Sequence, residues 1–272
     1  MTVLTTATEL AQALESPHPP VVLDVRWLLG GPPGHPEYLS GHIPGAVYVS
    51  LDDELARHGE PTDGRHPLPG IEDLQASARR WGIDDGTAVV AYDANASLAA
   101  ARAWWLLRWA GLGDVTLLDG GLQAWTTEGY ALATDDVTPR PGGVTLSAGH
   151  QPVLEFDAVT SYDGVLLDAR AAERYRGETE PIDPKAGHIP GALNAPTTLN
   201  LTSDGHFLPA GVLRAQFHAL GIESHSDVAV YCGSGVTAAH EIAALAIAGV
   251  EARLYPGSWS QWSNHDLGVE TD

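Results

Sequence analysis

The residue of this chain best suited to covalent chemistry is Cys232, its single cysteine. It stands in the run Val228 to Ala239, V-A-V-Y-C-G-S-G-V-T-A-A, where β-forming residues lead into a short turn before alanine-rich helical sequence begins. The pattern predicts a thiol on a strand-to-helix turn, at the N-terminal end of the helix. Glycines at 233 and 235 let the backbone N–H groups of Gly233, Ser234, Gly235, Val236 and Thr237 point toward one centre. The helix end adds about half a positive charge there, so an anion is stabilised. The thiolate is the nucleophilic form of cysteine, whereas an inert core cysteine has no need of such a turn. A thiolate so held could attack a sulfur atom, a carbonyl carbon or a phosphorus atom.

The elements that must position this turn occur twice. Gly41-His42-Ile43-Pro44-Gly45-Ala46 recurs letter for letter at Gly187-His188-Ile189-Pro190-Gly191-Ala192, which indicates an internal duplication. The strand ending in Asp24 corresponds to that ending in Asp168, and Val89-Val90-Ala91-Tyr92-Asp93 corresponds to Val228-Ala229-Val230-Tyr231-Cys232. The Gly-turn before Trp125 corresponds to the one before Trp262. Strands alternating with helical stretches such as Ser97 to Ala110 and Thr237 to Ala248 predict an α/β fold, with two mostly parallel sheets each carrying helices on both faces. The expected boundaries are a domain over 1–133, a Pro/Gly-rich linker over 134–151 and a second domain over 152–272. Residues present in both copies, namely Asp24, Asp168, His42, His188, Trp125 and Trp262, are expected to keep the fold, because only one copy carries the thiol.

Differences between the copies carry the functional information. Asp93 stands where the second copy has Cys232, and its loop Asp93-Ala94-Asn95-Ala96 lacks the glycine cradle. A carboxylate cannot carry sulfur, so the first copy is expected to be catalytically silent. His42 to Asp93 spans 51 positions and His188 to Cys232 spans 44, so the first copy holds about seven extra residues, in or near Asp52 to Gly70.

Composition narrows the classes further. The chain has 272 residues, 44% of them hydrophobic, enough for two ordinary cores. A formal charge of −21 opposes binding to a polyphosphate, so nucleic acid is not an expected partner. One cysteine excludes an internal disulfide framework or a thiolate-rich metal site, and the twelve histidines show no paired ligand spacing, so neither a metal nor an organic cofactor is expected. No apolar run reaches membrane-spanning length and the first residues show no signal-peptide pattern, so no membrane association and a cytoplasmic location are expected.

The loop Cys232-Gly233-Ser234-Gly235-Val236-Thr237-Ala238 resembles the active-site signature of the rhodanese superfamily, in its 3-mercaptopyruvate sulfurtransferase branch, and the repeat extends the resemblance over nearly the whole chain. The resemblance implies two tandem rhodanese-like domains, with the working cysteine in the second. It also implies that His66, in Arg65-His66-Pro67-Leu68-Pro69-Gly70, and Asp52 reach the active site from the first half. Arg174 matches a substrate-binding arginine of the family. Relatives usually have a second arginine before Gly-His-Ile-Pro-Gly, whereas the loop Glu178 to Lys185 has none, so Lys185 or Arg176 is expected to take its place.

The expected chemistry is ping-pong sulfur transfer, in which the Cys232 thiolate takes a sulfane sulfur as persulfide and passes it to a thiol, a thioredoxin-like acceptor or cyanide. Phosphatases of related fold place an arginine six residues after the cysteine; here that residue is Ala238, and the next arginine is Arg253. Mercaptopyruvate releases pyruvate enolate, which needs a proton, and Ser234, His66 and Asp52 would form a relay able to supply one. Thiosulfate-preferring relatives carry basic residues after the cysteine, where this chain has Gly233 and Ser234. The expected donor is therefore 3-mercaptopyruvate. Thiosulfate is the alternative, and a persulfide-relay or binding module without turnover is the alternative of another class.

Overall fold

Four near-continuous apolar runs, Val21–Asp24, Val89–Tyr92, Val165–Asp168 and Val228–Tyr231, become the central strands of two sheets. Strands covered on both faces read this way, and parallel pairing with crossover helices is the usual setting for them. The computed structural model describes residues 2–271.

The first unit comprises residues 1–56, 69–151 and 203–206. Its elements begin with β1 (Leu4–Thr5), α1 (Ala7–Leu14), β2 (Val21–Asp24), α2 (Gly34–Ser40), β3 (Val47–Tyr48) and α3 (Leu51–Glu54). They continue with α4 (Ile71–Arg80), β4 (Val89–Tyr92), α5 (Ala100–Trp109), β5 (Val115–Leu118) and α6 (Gly121–Thr127). The strands form one sheet in the order β1-β5-β4-β2-β3, every described pair parallel. Helix α1 starts at a capping box, in which Thr6 accepts from the Glu9 N–H and the Glu9 carboxylate accepts from the Thr6 N–H. Ala7 and Leu10 of α1 pack with Val22, Val90, Tyr92, Leu118, Ala124 and Trp125. Successive strand residues face opposite ways, so Leu23, Ala91 and Leu117 look to the other face, which α5 covers.

The second unit comprises residues 57–68, 152–202 and 207–272. A 3₁₀ turn at Pro61–Asp63 lies in its first segment. Then follow α7 (Phe156–Val159), β6 (Val165–Asp168), α8 (Ala172–Tyr175), β7 (Leu193–Asn194), a 3₁₀ turn at Thr197–Asn200 and α9 (Ala210–Ala219). The unit ends with β8 (Val228–Tyr231), α10 (Thr237–Ala248), β9 (Ala252–Leu254) and α11 (Ser258–Trp262). Its sheet runs β7-β6-β8-β9, again all parallel. Val159, Leu166, Ala229, Tyr231, Trp259 and Trp262 form the core on one face, and α10 packs on β8 and β9.

The paired residues do matching structural work in the two units. Arg26 bridges Asp24 (3.0 Å) and the Gly41 carbonyl (2.8 Å), and Arg170 bridges Asp168 (2.7 Å) and the Gly187 carbonyl (2.6 Å). Tyr92 and Tyr231 each accept the N–H of the isoleucine in the repeated hexapeptide. His42 and His188 lie flat on Tyr38 and Tyr175, with ring centroids 3.9 and 3.7 Å apart, and each Nδ1 meets the carbonyl of that tyrosine. Burial pushes the Asp24 carboxyl up to about 6, with Arg26 and Tyr92 opposing the rise.

Helix α10 carries a buried acid outside any site expected from the sequence. Glu241 accepts from Asn200 at 2.6 Å, while His240 Nδ1 meets Thr197 Oγ1 at 2.7 Å. Burial pushes the Glu241 carboxyl up to about 8, although hydrogen bonds from Thr197 and Asn200 favour its charged form. A carboxyl with a raised folded-state value holds its proton more tightly folded than unfolded, so it costs stability progressively as pH rises from about 4.5 to about 8. Glu241→Gln is therefore expected to match the wild type near pH 4.5 and to exceed it by a growing margin, on the order of a few kcal/mol, toward pH 8. Denaturant midpoints across that range check this; a margin that does not change with pH would contradict it.

Candidate active site

Cys232 follows the last residue of β8, and α10 begins five residues later at Thr237. Its carbonyl accepts from Trp259 N–H at 3.0 Å, and the Gly233 carbonyl accepts from Ser260 N–H at 2.8 Å. In a trans peptide the N–H points opposite the C=O, so tying both carbonyls to α11 turns the N–H groups of Gly233 and Ser234 the other way. Gly235 turns the chain with φ +76°, in the left-handed region that favours glycine. The Cys232 N–H donates to Ser258 Oγ at 3.1 Å; Ser258 is itself held at φ +53° and donates to the Tyr255 carbonyl. Cys232, Ser234 and Val236 are buried.

The equivalent turn of the first unit shows what this geometry does with an anion. Asp93 Oδ1 accepts from the N–H groups of Asn95 and Ser97, at 2.7 and 2.9 Å, and Oδ2 from those of Ala99 and Ala100, at 2.8 and 2.9 Å. The lack of glycine suggested that this turn forms no cradle, yet one is present. Ala96 and Ser97 adopt φ of +53° and +66°, the strain being offset by four hydrogen bonds to one carboxylate. Burial raises the Asp93 carboxyl while those N–H groups pull it back down.

The extra residues of the first half form a strap that clusters with the second unit as residues 57–68. Arg57 N–H closes it by donating to the Pro67 carbonyl. The strap lies on α11, with Arg65 N–H donating to Ser260 Oγ (3.1 Å) and the Thr62 carbonyl accepting from Gln261 Nε2 (3.2 Å). A Cβ on Gly64, whose φ is +88°, would stand 2.7 Å from the Gly257 carbonyl, so the close approach requires glycine. The strap delivers His66, 7% exposed, with Nδ1 2.8 Å from Ser234 Oγ.

Arg174, on α8, reaches the cysteine turn: its Nη1 lies 3.4 Å from where a Cβ on Gly233 would be. Glu180 holds the Nη2 of this arginine at 2.7 Å. Lys185 is committed elsewhere, with Nζ donating to the carbonyls of His265 (2.6 Å) and Leu267 (3.1 Å). Arg176 pairs with Glu178 at an exposed position. Asp52, in α3 of the first unit, accepts from the Trp27 indole N–H at 3.1 Å. The sequence reading overlooked Arg65, whose Nη2 lies 3.2 Å from the same Gly233 Cβ position and which pairs with Asp183. It also overlooked Ser258, which has no counterpart among the signature residues. Among the described residues no group of three or more His, Cys, Asp or Glu could hold a metal ion.

A buried thiol at the C-terminal end of a central parallel strand, on a turn that gathers N–H groups, defines an α/β domain built for anionic and nucleophilic sulfur chemistry. The family model for the rhodanese-like domain matches residues 6–128 and 156–265, and the chain belongs to that family as a tandem pair. A relative from Mycobacterium tuberculosis strain H37Rv, provisionally named thiosulfate sulfurtransferase SseB, is 49% identical over 267 residues, 96% of this chain and 94% of its own. A Pseudomonas aeruginosa relative, provisionally named 3-mercaptopyruvate sulfurtransferase, is 46% identical over 95% of this chain and 94% of its own. The crystal structure of SseA from Escherichia coli, described as a 3-mercaptopyruvate sulfurtransferase of rhodanese fold, superposes with a TM-score of 0.84 at 32% identity, covering 95% of this chain and 99% of that one.

Removing the first unit's built-in anion tests the cradle. Asp93→Ala leaves four N–H groups, three of them buried, without their acceptor and is expected to destabilise the protein by about 2 kcal/mol or more. Denaturant unfolding measures this, and a change below about 0.5 kcal/mol would show that the turn does not depend on the carboxylate.

Proposed function

We propose that the protein is a sulfurtransferase that moves a sulfane sulfur from 3-mercaptopyruvate, through a persulfide on Cys232, to a thiol, a thioredoxin-like acceptor or cyanide. The observation that carries the choice of donor is the 2.8 Å contact between His66 Nδ1 and Ser234 Oγ, two residues from the nucleophile. The relatives named for the same donor support it.

In the first half-reaction the Cys232 thiolate attacks the donor sulfur. An Sγ–S bond forms as the S–C3 bond breaks, and the bonding electrons pass to the pyruvate fragment as its enolate. That carbanion equivalent takes a proton and leaves as pyruvate. The Ser234 hydroxyl, paired with His66, is the proposed source of the proton, His66 restoring it. Asp52 is the proposed orienting carboxylate of this relay, a role carried by the sequence resemblance alone. The N–H groups of Gly233 to Thr237 are proposed to hold the charge on the persulfide. In the second half-reaction an acceptor thiolate or cyanide takes the outer sulfur, and the Cys232 thiolate leaves. A single thiol required in its reduced form supports a cytoplasmic site of action. Among the described residues no helix is long and apolar enough to cross a membrane.

Thiosulfate is the second reading for the donor, favoured by two guanidinium groups beside Gly233 that could offset the charge of departing sulfite. Steady-state transfer to cyanide separates the two, with Cys232→Ser as the blank. The wild type is expected to use 3-mercaptopyruvate with much the higher kcat/KM. His66→Ala is expected to lower that value about 100-fold while affecting thiosulfate far less. Equal or better use of thiosulfate, with equal sensitivity to His66→Ala, would overturn the relay.

A further inference from the structure

We propose that Glu241, buried in the second turn of α10, tunes the hold of the cysteine turn on an anion: while it keeps its proton the N-terminal end of α10 serves the charge on Cys232 alone, and once it ionises the two charges compete for that end. Glu241 is then a positioning residue that acts through the helix, whichever donor supplies the sulfur.

Two routes bring Glu241 close to the turn. Along α10 it stands four residues beyond Thr237, a rise of about 6 Å. Across the sheet, its partner Thr197 donates its N–H to the Ala169 carbonyl (3.2 Å), and Ala169 donates in turn to the carbonyl of Tyr231 (2.9 Å), the residue before Cys232. Two such steps between neighbouring chains, of about 4.8 Å each, put Thr197 about 10 Å from the base of the turn. The acid is 1% exposed, and its hydrogen-bond partners Thr197 and Asn200 carry no charge. Neither partner neutralises a carboxylate, so its field reaches along the helix.

The surroundings leave the charge of Glu241 to its own proton. The 3₁₀ turn at Thr197–Asn200 brings no titratable group, and on α10 itself His240 meets Thr197 Oγ1 at 2.7 Å and stacks on Phe207. Strand β8 carries only Tyr231, whose hydroxyl accepts the Ile189 N–H. Helix α9 offers Arg214, which donates to the Ala248 carbonyl at the far end of α10, and His218, exposed beside Glu223. Strand β9 offers Arg253, paired with Asp227. The cluster accommodates both states of the acid. Thr197 Oγ1 donates to a carboxylate while accepting from His240, or accepts from a carboxyl while donating to it, and Asn200 donates at 2.6 Å in either case.

Burial holds the Glu241 carboxyl up at about 8, so its charge is absent in acid and neutral solution and grows as pH rises through that value. At about 10 Å and the effective dielectric of a partly buried site, one unit charge weakens the hold on a neighbouring anion about tenfold. By linkage, an anion on Cys232 keeps the proton on Glu241 by the same factor. The first unit makes the contrast: its turn holds the Asp93 carboxylate, and its helix α5 contains no acid and carries the buried Arg102 in its first turn.

Alkylation of Cys232 by iodoacetate and by iodoacetamide, which differ by one negative charge, reads the field at the thiol while the thiolate fraction cancels in the ratio. In the wild type the iodoacetate-to-iodoacetamide rate ratio is expected to fall about tenfold between pH 7 and pH 9.5. In Glu241→Gln, whose amide keeps the contacts to Thr197 and Asn200, the ratio should stay within about twofold over the same range. His66 is present in both proteins, so its contribution is common to the two curves. The same pH dependence in both would overturn the proposal. A second measurement needs no change at Glu241. After treatment with inorganic polysulfide, which loads the thiol as persulfide, the infrared band of the protonated carboxyl that titrates near pH 8 is expected to persist about one pH unit higher in the wild type than in Cys232→Ser. Loss of the band at the same pH in both proteins overturns the coupling. Neither measurement uses 3-mercaptopyruvate, so a failure of the donor reading leaves this result standing and is told apart from it.

Discussion

The structure turns on what happens to the backbone N–H groups where a buried parallel strand gives way to a helix. Such a turn cannot hydrogen-bond to the sheet it has left or to the helix it has not yet entered, and its donors are best satisfied together by one negative charge. Both copies of the duplicated unit contain this demand. The first answers it from within, with the Asp93 carboxylate taking four N–H groups. The second places a thiol at the same point, and so leaves its answer to chemistry: thiolate, persulfide or bound donor. The Asp/Cys difference goes with different turns around it: two positive φ values, at Ala96 and Ser97, and seven residues to the helix in the first, and one, at Gly235, and five residues in the second.

The surrounding elements can be understood as supports for that turn. On one side α11 fastens the carbonyls of Cys232 and Gly233, with Ser258 strained to receive the Cys232 N–H. On another, Arg170 ties Asp168 to the Gly187 carbonyl and lies over the Trp259 ring at 4.5 Å, which links the strand end, the repeated hexapeptide and α11. The charged residues near the turn balance: Arg65, Arg170 and Arg174 face Asp168, Glu180 and Asp183. Strong positive charge is thereby held in fixed directions within a chain whose overall charge is −21.

Much of this was legible in the sequence, and the reasons it was or was not are local. The cysteine turn could be read because its strand, its glycines and its helix are contiguous. The duplication could be read because the hexapeptide is identical in both halves. His66 stood out through the extra residues around it and the motif it shares with relatives. Arg65, its neighbour, did not, because its partner Asp183 is 118 positions away and a charge alone does not name its partner. The Asp93 turn misled in the opposite direction. Absence of glycine argued against a cradle, but hydrogen bonds to one carboxylate suffice to hold Ala96 and Ser97 in backbone conformations glycine would ordinarily supply.

The strap also has a consequence in time. Its docking surface on α11 lies far along the chain, with Arg65 and Ser260 separated by 195 positions. At a synthesis rate of about 5–20 residues per second, the strap waits on the order of ten seconds or longer before its partner emerges from the ribosome. During that interval His66 and Arg65 have no turn to serve, while the first unit already has most of its chain. The nascent protein thus completes the unit with the self-satisfied anion first. The reactive thiol becomes enclosed only when the last helix arrives to receive a segment made long before it.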